Sequence, residues 1–175
     1  RPRNADDMLP VGAAGILVAL VDRLDSLVGL FGVGLAPTGS ADPFALRRAA
    51  LGVIQILLDQ GLPLNLREAC GLIAKYQPVE ISDKALQEVV AFIVGRFRVL
   101  LDDTPYPHDV IEAVLAAQGH NPVRSVQGIQ ELRTWTQQDN WESILDSYAR
   151  CLRIVRDQPR YDLHPDRFTE QTEKD

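Results

Sequence analysis

The residues best suited to chemistry in this sequence are two adjacent arginines, Arg47 and Arg48, in the stretch PTGSADPFALRRAALG. A guanidinium group can donate two parallel hydrogen bonds to a phosphate or a carboxylate. The loop before them offers Thr38, Ser40 and backbone N–H groups close to a predicted helix start, where anions often bind. This arrangement favours phosphate binding as one interpretation of the stretch.

The second interpretation is structural, because arginines also pair with carboxylates of their own chain. Successive residues of a helix are turned by about 100°, so Arg47 and Arg48 cannot both point into one core. In this interpretation they tie a helical scaffold together, for example by linking two helices. The candidate carboxylates are Asp22, Asp25 and Asp42.

Three glycines in VGLFGVG, Gly29, Gly32 and Gly34, invite comparison with a nucleotide-binding loop. A dinucleotide-binding fingerprint places its glycines after a strand and before a helix. Here they follow a predicted helix instead. We therefore interpret them as the residues that end this helix.

The dipeptide His108-Asp109 is shared with metal-dependent HD phosphohydrolases, but none of the three histidines precedes it. A negative charge in the first turn stabilises a helix, and this explains Asp109 more simply than metal binding does. A residual HD phosphohydrolase stays as a weaker alternative. Cys70 and Cys151 have no C-x-x-C spacing and are predicted to be small apolar helix residues in a reducing compartment.

Composition limits the class of protein further. The chain has 175 residues, 46% of them hydrophobic, and a formal net charge of -6. These values are typical of a folded domain and argue against a uniformly basic nucleic-acid-binding surface. The most apolar run is interrupted by Asp22, Arg23 and Asp25, so it predicts a buried helix and no membrane span.

Hydrophobic periodicity predicts an all-α fold, a bundle of about seven helices without a sheet. The apolar run from Val11 to about Leu30 is apolar on nearly every side, which predicts a helix enclosed by its neighbours. Residues 158–175 are polar and contain proline, as expected of a linker or a fraying end. Helix starts are predicted from capping residues and from proline in the first turn, at Asp42-Pro43, Asn65 with Glu68, Ser82, and Asn121-Pro122.

PTGSADPFALRRAALG closely resembles a motif of the β subunit of the bacterial heterotetrameric glycyl-tRNA synthetase. Other segments resemble this family in the same order along the chain: RPRNADDMLP, LVALVDRLDSLVGLFGVG, VVAFIVGRFRVLL and HDVIEAVLA. The resemblance implies that residues 1–62 are the end of an HD-like helical domain. It also implies that 63–157 form a helical body leading toward the anticodon-binding domain, so the chain resembles an internal fragment.

The resemblance implies a share in the ATP-dependent attachment of glycine to tRNA(Gly). In such a heterotetramer of two α and two β chains, the α subunit carries the catalytic centre and uses ATP and Mg²⁺. The β subunit supplies tRNA binding and scaffolding in the cytoplasm, so we expect no catalytic residue and no cofactor in this chain. The residues expected to contact RNA are Arg47, Arg48, Thr38, Ser40, Arg96 and Arg98. A helical scaffold without tRNA contact is the alternative.

Overall fold

The computed structural model describes residues 12–157, and within them the chain forms seven α-helices and no β-strand. The predicted all-α architecture is therefore confirmed. The chain divides into two compact units, Arg1–Thr134 and Trp135–Asp175. The helices are α1 (Ala13–Gly32), α2 (Leu46–Asp59), α3 (Leu66–Ala74), α4 (Asp83–Asp102), α5 (His108–Gln118), α6 (Pro122–Thr136) and α7 (Trp141–Val155).

The core of the first unit lies where α1, α2, α3 and α4 pack on one another. Each of these helices contributes side chains at helical spacing, and burial of such apolar surface is the main stabilising term in folding. The assignment of 1–62 and 63–157 to two family domains stays a prediction. In the structure, α1 and α2, which precede the predicted boundary, pack on α4, which follows it. Large and fully buried side chains of the core include Leu27, Leu46, Ile54, Leu57, Ile93, Phe97, Ile111 and Ile129.

Three predicted capping residues begin helices as expected. The Asn65 side chain accepts a hydrogen bond from the Arg67 N–H, and its Nδ2 donates to Glu68 at 2.7 Å. Ser82 Oγ accepts from the Ala85 N–H. Asn121 Oδ1 accepts from a backbone N–H of the first turn of α6. These caps are local contacts, which is why the sequence alone reveals them.

The start of α2 differs from the prediction. Pro43 lies in a turn and α2 begins at Leu46, because Ala45 adopts a left-handed backbone conformation with φ 56°. Asp42 still caps the helix from outside it: Oδ1 accepts from the Leu46 N–H at 2.8 Å and Oδ2 from the Arg47 N–H at 3.0 Å. The predicted capping residue is correct, whereas the predicted helix start is wrong.

The expectation that neighbours enclose α1 on every side is wrong for its first half. Leu17 is 62% exposed and Val18 is 68% exposed, although Leu24, Leu27 and Val28 are buried. Among the described residues, the neighbours of α1 are α2, α3 and α4, and they cover one side of it. Uniform apolarity in a sequence therefore does not establish which sides of a helix are covered.

The glycines of α1 end the helix only in part. Gly34 follows the helix with φ 76°, as a terminating residue does. Gly29 and Gly32 lie within α1, where the side chains of Gln77 and Ile81 pack against their backbone. A Cβ at Gly29 would lie 2.7 Å from Gln77 Oε1. These two glycines therefore permit close packing by the segment between α3 and α4.

The second unit contributes α7, whose apolar side chains recur along one side of the helix. None of its residues is buried, and Leu145, Tyr148 and Leu152 are exposed. Across residues 12–157, no helix is both long and apolar enough to span a membrane. The segment RPRNADDMLP and the predicted linker 158–175 lie outside the described residues.

Candidate anion-binding site at the start of α2

The loop before α2 folds into a compact turn. The backbone groups of Thr38 and Ala41 bond to each other in both directions, at 2.8 and 3.2 Å. Gly39, between them, has φ 49°, a conformation that glycine adopts without strain. Thr38 and Ser40 are both exposed in this turn. The structure thus places the two predicted hydroxyl residues together at the surface.

Arg47 folds back onto this turn. Its Nη2 donates to the carbonyl oxygen of Gly39, and its Nη1 donates to that of Ala41 at 3.5 Å. Nη1 also lies 3.9 Å from Asp42 Oδ2. The Arg47 side chain is 29% exposed and that of Asp42 15%. The guanidinium group therefore ties the turn to the first turn of α2.

Asp42 changes the chemistry expected at this helix start. Its carboxylate accepts hydrogen bonds from the N–H groups of Leu46 and Arg47. A phosphate at the N-terminus of α2 would need these same donors. Because the carboxylate is also negatively charged, it repels an anion at this position. A phosphate cradled by the helix start itself is thus disfavoured.

Arg48 differs from its neighbour because it is exposed. A turn of about 100° between successive helix residues directs the two side chains apart. An exposed guanidinium group can reach an anion on a partner without disturbing the core. Of the two adjacent arginines, Arg48 is therefore the better placed for a partner, whereas the contacts of Arg47 are with its own loop.

The other two predicted arginines lie on α4 and do not form a joint patch, because residues two apart on a helix face nearly opposite sides. Arg98 Nε lies 2.6 Å from Glu112 Oε1, although the N–H is not well directed at that oxygen, so the contact is a close ion pair. The guanidinium carbon of Arg96 lies 5.9 Å from the centre of the Phe92 ring, and that ring packs on Phe31.

Two side-chain contacts between distant parts of the chain are not predicted from the sequence. Asp25, one of the three carboxylates that the sequence offers as partners for Arg47 or Arg48, accepts a hydrogen bond from Gln77 Nε2 at 2.6 Å. The buried Asn121 donates from Nδ2 to the carbonyl oxygen of Pro63. The cap-and-proline pattern identified Asn121 as a helix start, but no local pattern indicates its distant acceptor.

The residues considered for metal or nucleophilic chemistry form no such site within residues 12–157. No group of three or more potential ligands lies together there. His108 Nδ1 is 3.7 Å from Asp102, and Asp109 accepts from the Val110 N–H in the first turn of α5. Burial raises the pKa of Cys70 to about 12, so its thiol stays protonated and unreactive at neutral pH.

Comparison with known proteins identifies the class to which this fold and loop belong. Residues 1–116 match the family model described as glycyl-tRNA synthetase beta subunit. The chain belongs to this family. The match includes α1, α2, the loop before α2, α3 and α4.

Individual relatives agree with the family model. A glycine–tRNA ligase beta subunit of Trichlorobacter lovleyi is 37% identical over 98% of this chain and 25% of its own length. One of Shewanella sediminis is 46% identical over 70% of the chain and 18% of its own length. A chloroplastic/mitochondrial glycine–tRNA ligase of Arabidopsis thaliana is 35% identical over 89% of the chain and 14% of its own length. The chain thus spans a quarter or less of these relatives.

Proposed function

We propose that this chain is a non-catalytic helical part of a glycine–tRNA ligase β subunit. In this role it supports the glycylation of tRNA(Gly) by an α subunit that uses ATP and Mg²⁺, in a cytoplasmic heterotetramer of two α and two β chains. The observation that carries the proposal is the family match over residues 1–116. The chain's own part is to hold a surface for tRNA and to brace the longer subunit.

Within this role, Arg48 contacts a phosphate of the tRNA, beside the exposed hydroxyls of Thr38 and Ser40. Arg47 supports the contact indirectly, because it fixes the turn that carries these hydroxyls. An arginine on a phosphate adds affinity that does not depend on base sequence and that weakens with salt. Arg96 and Arg98 are weaker candidates, since residues two apart on α4 face nearly opposite sides and cannot form a joint patch.

The test uses a full-length β subunit carrying this sequence, assembled with its α subunit. Arg48→Glu should lower tRNA affinity about tenfold at low salt, equivalent to about 1.4 kcal/mol. It should also reduce the salt dependence of binding, because one phosphate contact is lost. Formation of glycyl-adenylate should persist, since the chemistry lies in the α subunit.

The matched control is Arg124→Glu on α6, which alters an exposed arginine and changes the net charge equally. Equal tRNA affinities of Arg48→Glu and Arg124→Glu would exclude a tRNA contact by Arg48. A purely structural scaffold is the second candidate, and the contacts of Arg47 favour it. That candidate predicts unchanged tRNA affinity for Arg48→Glu in an enzyme that assembles normally.

A further inference from the structure

A groove runs along α4, between this helix and parts of α3 and α5. Its volume is about 600 Å³. We call it the α4 groove. One long side consists of α4 side chains spaced three and four residues apart, which form a continuous stripe along the helix. The stripe consists of Asp83, Leu86, Gln87, Val90, Ala91 and Val94.

The opposite side of the α4 groove comes from three elements: Arg67 of α3, Leu115 of α5 and His120 before α6. The backbone holds these elements together. The Leu66 N–H donates to the carbonyl oxygen of His120 at 2.8 Å. A Cβ at Gly119 would lie 3.0 Å from Val94 Cγ1, so the absence of a side chain there lets the end of α5 approach α4 closely.

The two ends of the α4 groove carry opposite charge. Asp83 lies in the first turn of α4, and Val94 lies eleven residues further along the helix. Because Leu66 bonds to His120 and Gly119 packs on Val94, we assign Arg67 to the Val94 end. At a rise of 1.5 Å per residue the ends are about 16 Å apart. Glu68, beside Arg67, accepts a hydrogen bond from Asn65 and does not line the groove. The floor between the ends is apolar, with Val90 and Leu115 buried.

His120 adds little charge to the cationic end. Burial, and after it the charge of Arg67, lowers the pKa of the His120 imidazole, and the charge of Glu68 raises it by less, so the imidazole is neutral at pH 7. Its Nδ1 is buried without a hydrogen-bond partner among residues 12–157. The Arg67 guanidinium group is thus the cation at this end of the α4 groove, and Glu68 offsets part of its charge.

We propose that the α4 groove binds an amphipathic helix of a polypeptide partner, with acidic residues in its first turn, basic residues in its last turn, and apolar residues at helical spacing. The long stripe of α4 and the apolar floor match an apolar helix face three turns long. The acidic first turn lies on Arg67 and the basic last turn on Asp83. The bound helix therefore runs antiparallel to α4.

The orientation follows from charge. Helices are most stable with acidic residues in the first turn and basic residues in the last, because these charges offset the helix dipole. A helix of this kind running parallel to α4 would place its acidic end on Asp83 and its basic end on Arg67. Only the antiparallel orientation satisfies both ends of the α4 groove.

The proposal is tested with two synthetic helical peptides titrated into the 175-residue chain. Both carry the same leucines at helical spacing, and they differ only in charge: one has acidic residues first and basic residues last, and the other has the reverse. We expect the first peptide to bind at least several-fold more tightly. The double reversal Arg67→Glu with Asp83→Lys should invert this preference.

A blocking variant checks that the peptide lies in the α4 groove. Ala91 is exposed on the stripe, so Ala91→Trp fills the groove without removing a packed side chain. It should weaken binding of the first peptide about tenfold or more. The matched control is Val99→Trp, on an exposed position of α4 outside the groove, which should leave binding unchanged.

Three results would overturn the proposal. Equal binding of the two peptides would exclude recognition by the charged ends. Equal effects of Ala91→Trp and Val99→Trp would exclude the α4 groove as the binding site. Self-association of the chain that Ala91→Trp abolishes would assign the α4 groove to a second copy of this chain.

Discussion

Two regions of the first unit carry closely spaced arginines, and the contacts of these arginines differ. At the start of α2, Arg47 donates to two carbonyl oxygens of the preceding turn. On α4, Arg98 meets a carboxylate of another helix, and the guanidinium group of Arg96 lies over an aromatic ring of its own helix. The first region is held by local hydrogen bonds. In the second region Arg96 also has a local partner, and only the contact of Arg98 is created by tertiary packing.

The comparison shows why arginine spacing alone does not define a binding site. A guanidinium group has five N–H donors in a fixed plane, so it bonds to whichever acceptors the backbone brings near. Arg47 finds acceptors within eight residues, in the loop that precedes its own helix. Arg98 meets a carboxylate on α5, and the packing of α4 on α5 creates this contact.

The largest effect is expected from Asp42, which holds the local region together. Asp42→Ala removes the acceptor of two N–H groups at the start of α2 and the carboxylate beside Arg47. We expect a loss of about 2 kcal/mol in the free energy of unfolding, the upper end of the range for a helix cap. Urea denaturation of the chain measures it.

Two variants control for this prediction. Asp42→Asn keeps an acceptor oxygen and should lose clearly less stability than Asp42→Ala. Glu80→Ala removes an exposed carboxylate between α3 and α4 and should change stability by less than about 0.5 kcal/mol. If Asp42→Ala were no less stable than Glu80→Ala, the carboxylate would not cap α2.

Arg47 should have the next largest effect. Arg47→Ala removes the tie between the turn and α2, and we expect a loss of about 1 kcal/mol, typical of exposed or half-buried hydrogen bonds. Arg47→Lys should lose nearly as much, because an ammonium group lacks the planar fork that reaches two carbonyl oxygens. Hydrogen exchange at the Ala41 N–H, which bonds to Thr38, should accelerate in both variants.

The same experiment separates a structural role from one of charge alone. Exchange at amides in the middle of α4 should stay unchanged, since the tie is local. Full stability of Arg47→Lys together with a destabilised Arg47→Ala would mean that the charge near Asp42 matters and that the two carbonyl contacts do not.

The sequence predicted the local region better than the region formed by packing. Asn65, Ser82 and Asp42 were recognisable as caps because each bonds within five residues. The start of α2 was misplaced because no residue type signals the left-handed conformation of Ala45. Alanine rarely adopts it, and here the turn and the Asp42 cap impose it.

Contacts between distant residues could not be predicted in the same way. The hydrogen bond from Gln77 to Asp25 joins residues 52 positions apart. It depends on Gly29, which lets the Gln77 side chain lie against α1. The α4 groove likewise depends on Arg67 and His120 meeting beside α4. Periodicity predicts that these helices exist, but it does not specify which of their polar side chains meet.

The smallest effect is expected at the pair formed by packing. Arg98 and Glu112 are 45% and 37% exposed, so water screens their attraction despite the short distance. A double-mutant cycle of Arg98→Ala and Glu112→Ala should give a coupling free energy of about 0.5 kcal/mol. Raising the salt concentration from about 0.1 M to about 1 M shortens the screening length from about 10 Å to about 3 Å. This change should remove most of the coupling free energy.

The exposed pair Lys84 and Glu88, whose charged atoms are 3.8 Å apart, is the matched comparison and should give a smaller coupling. The loss caused by Arg47→Ala should change much less with salt, because its main acceptors are uncharged carbonyl oxygens. The distinction between the two regions therefore rests on salt dependence. A coupling of Arg98 to Glu112 that persists at high salt would show that a directed hydrogen bond, and not charge attraction, joins α4 to α5.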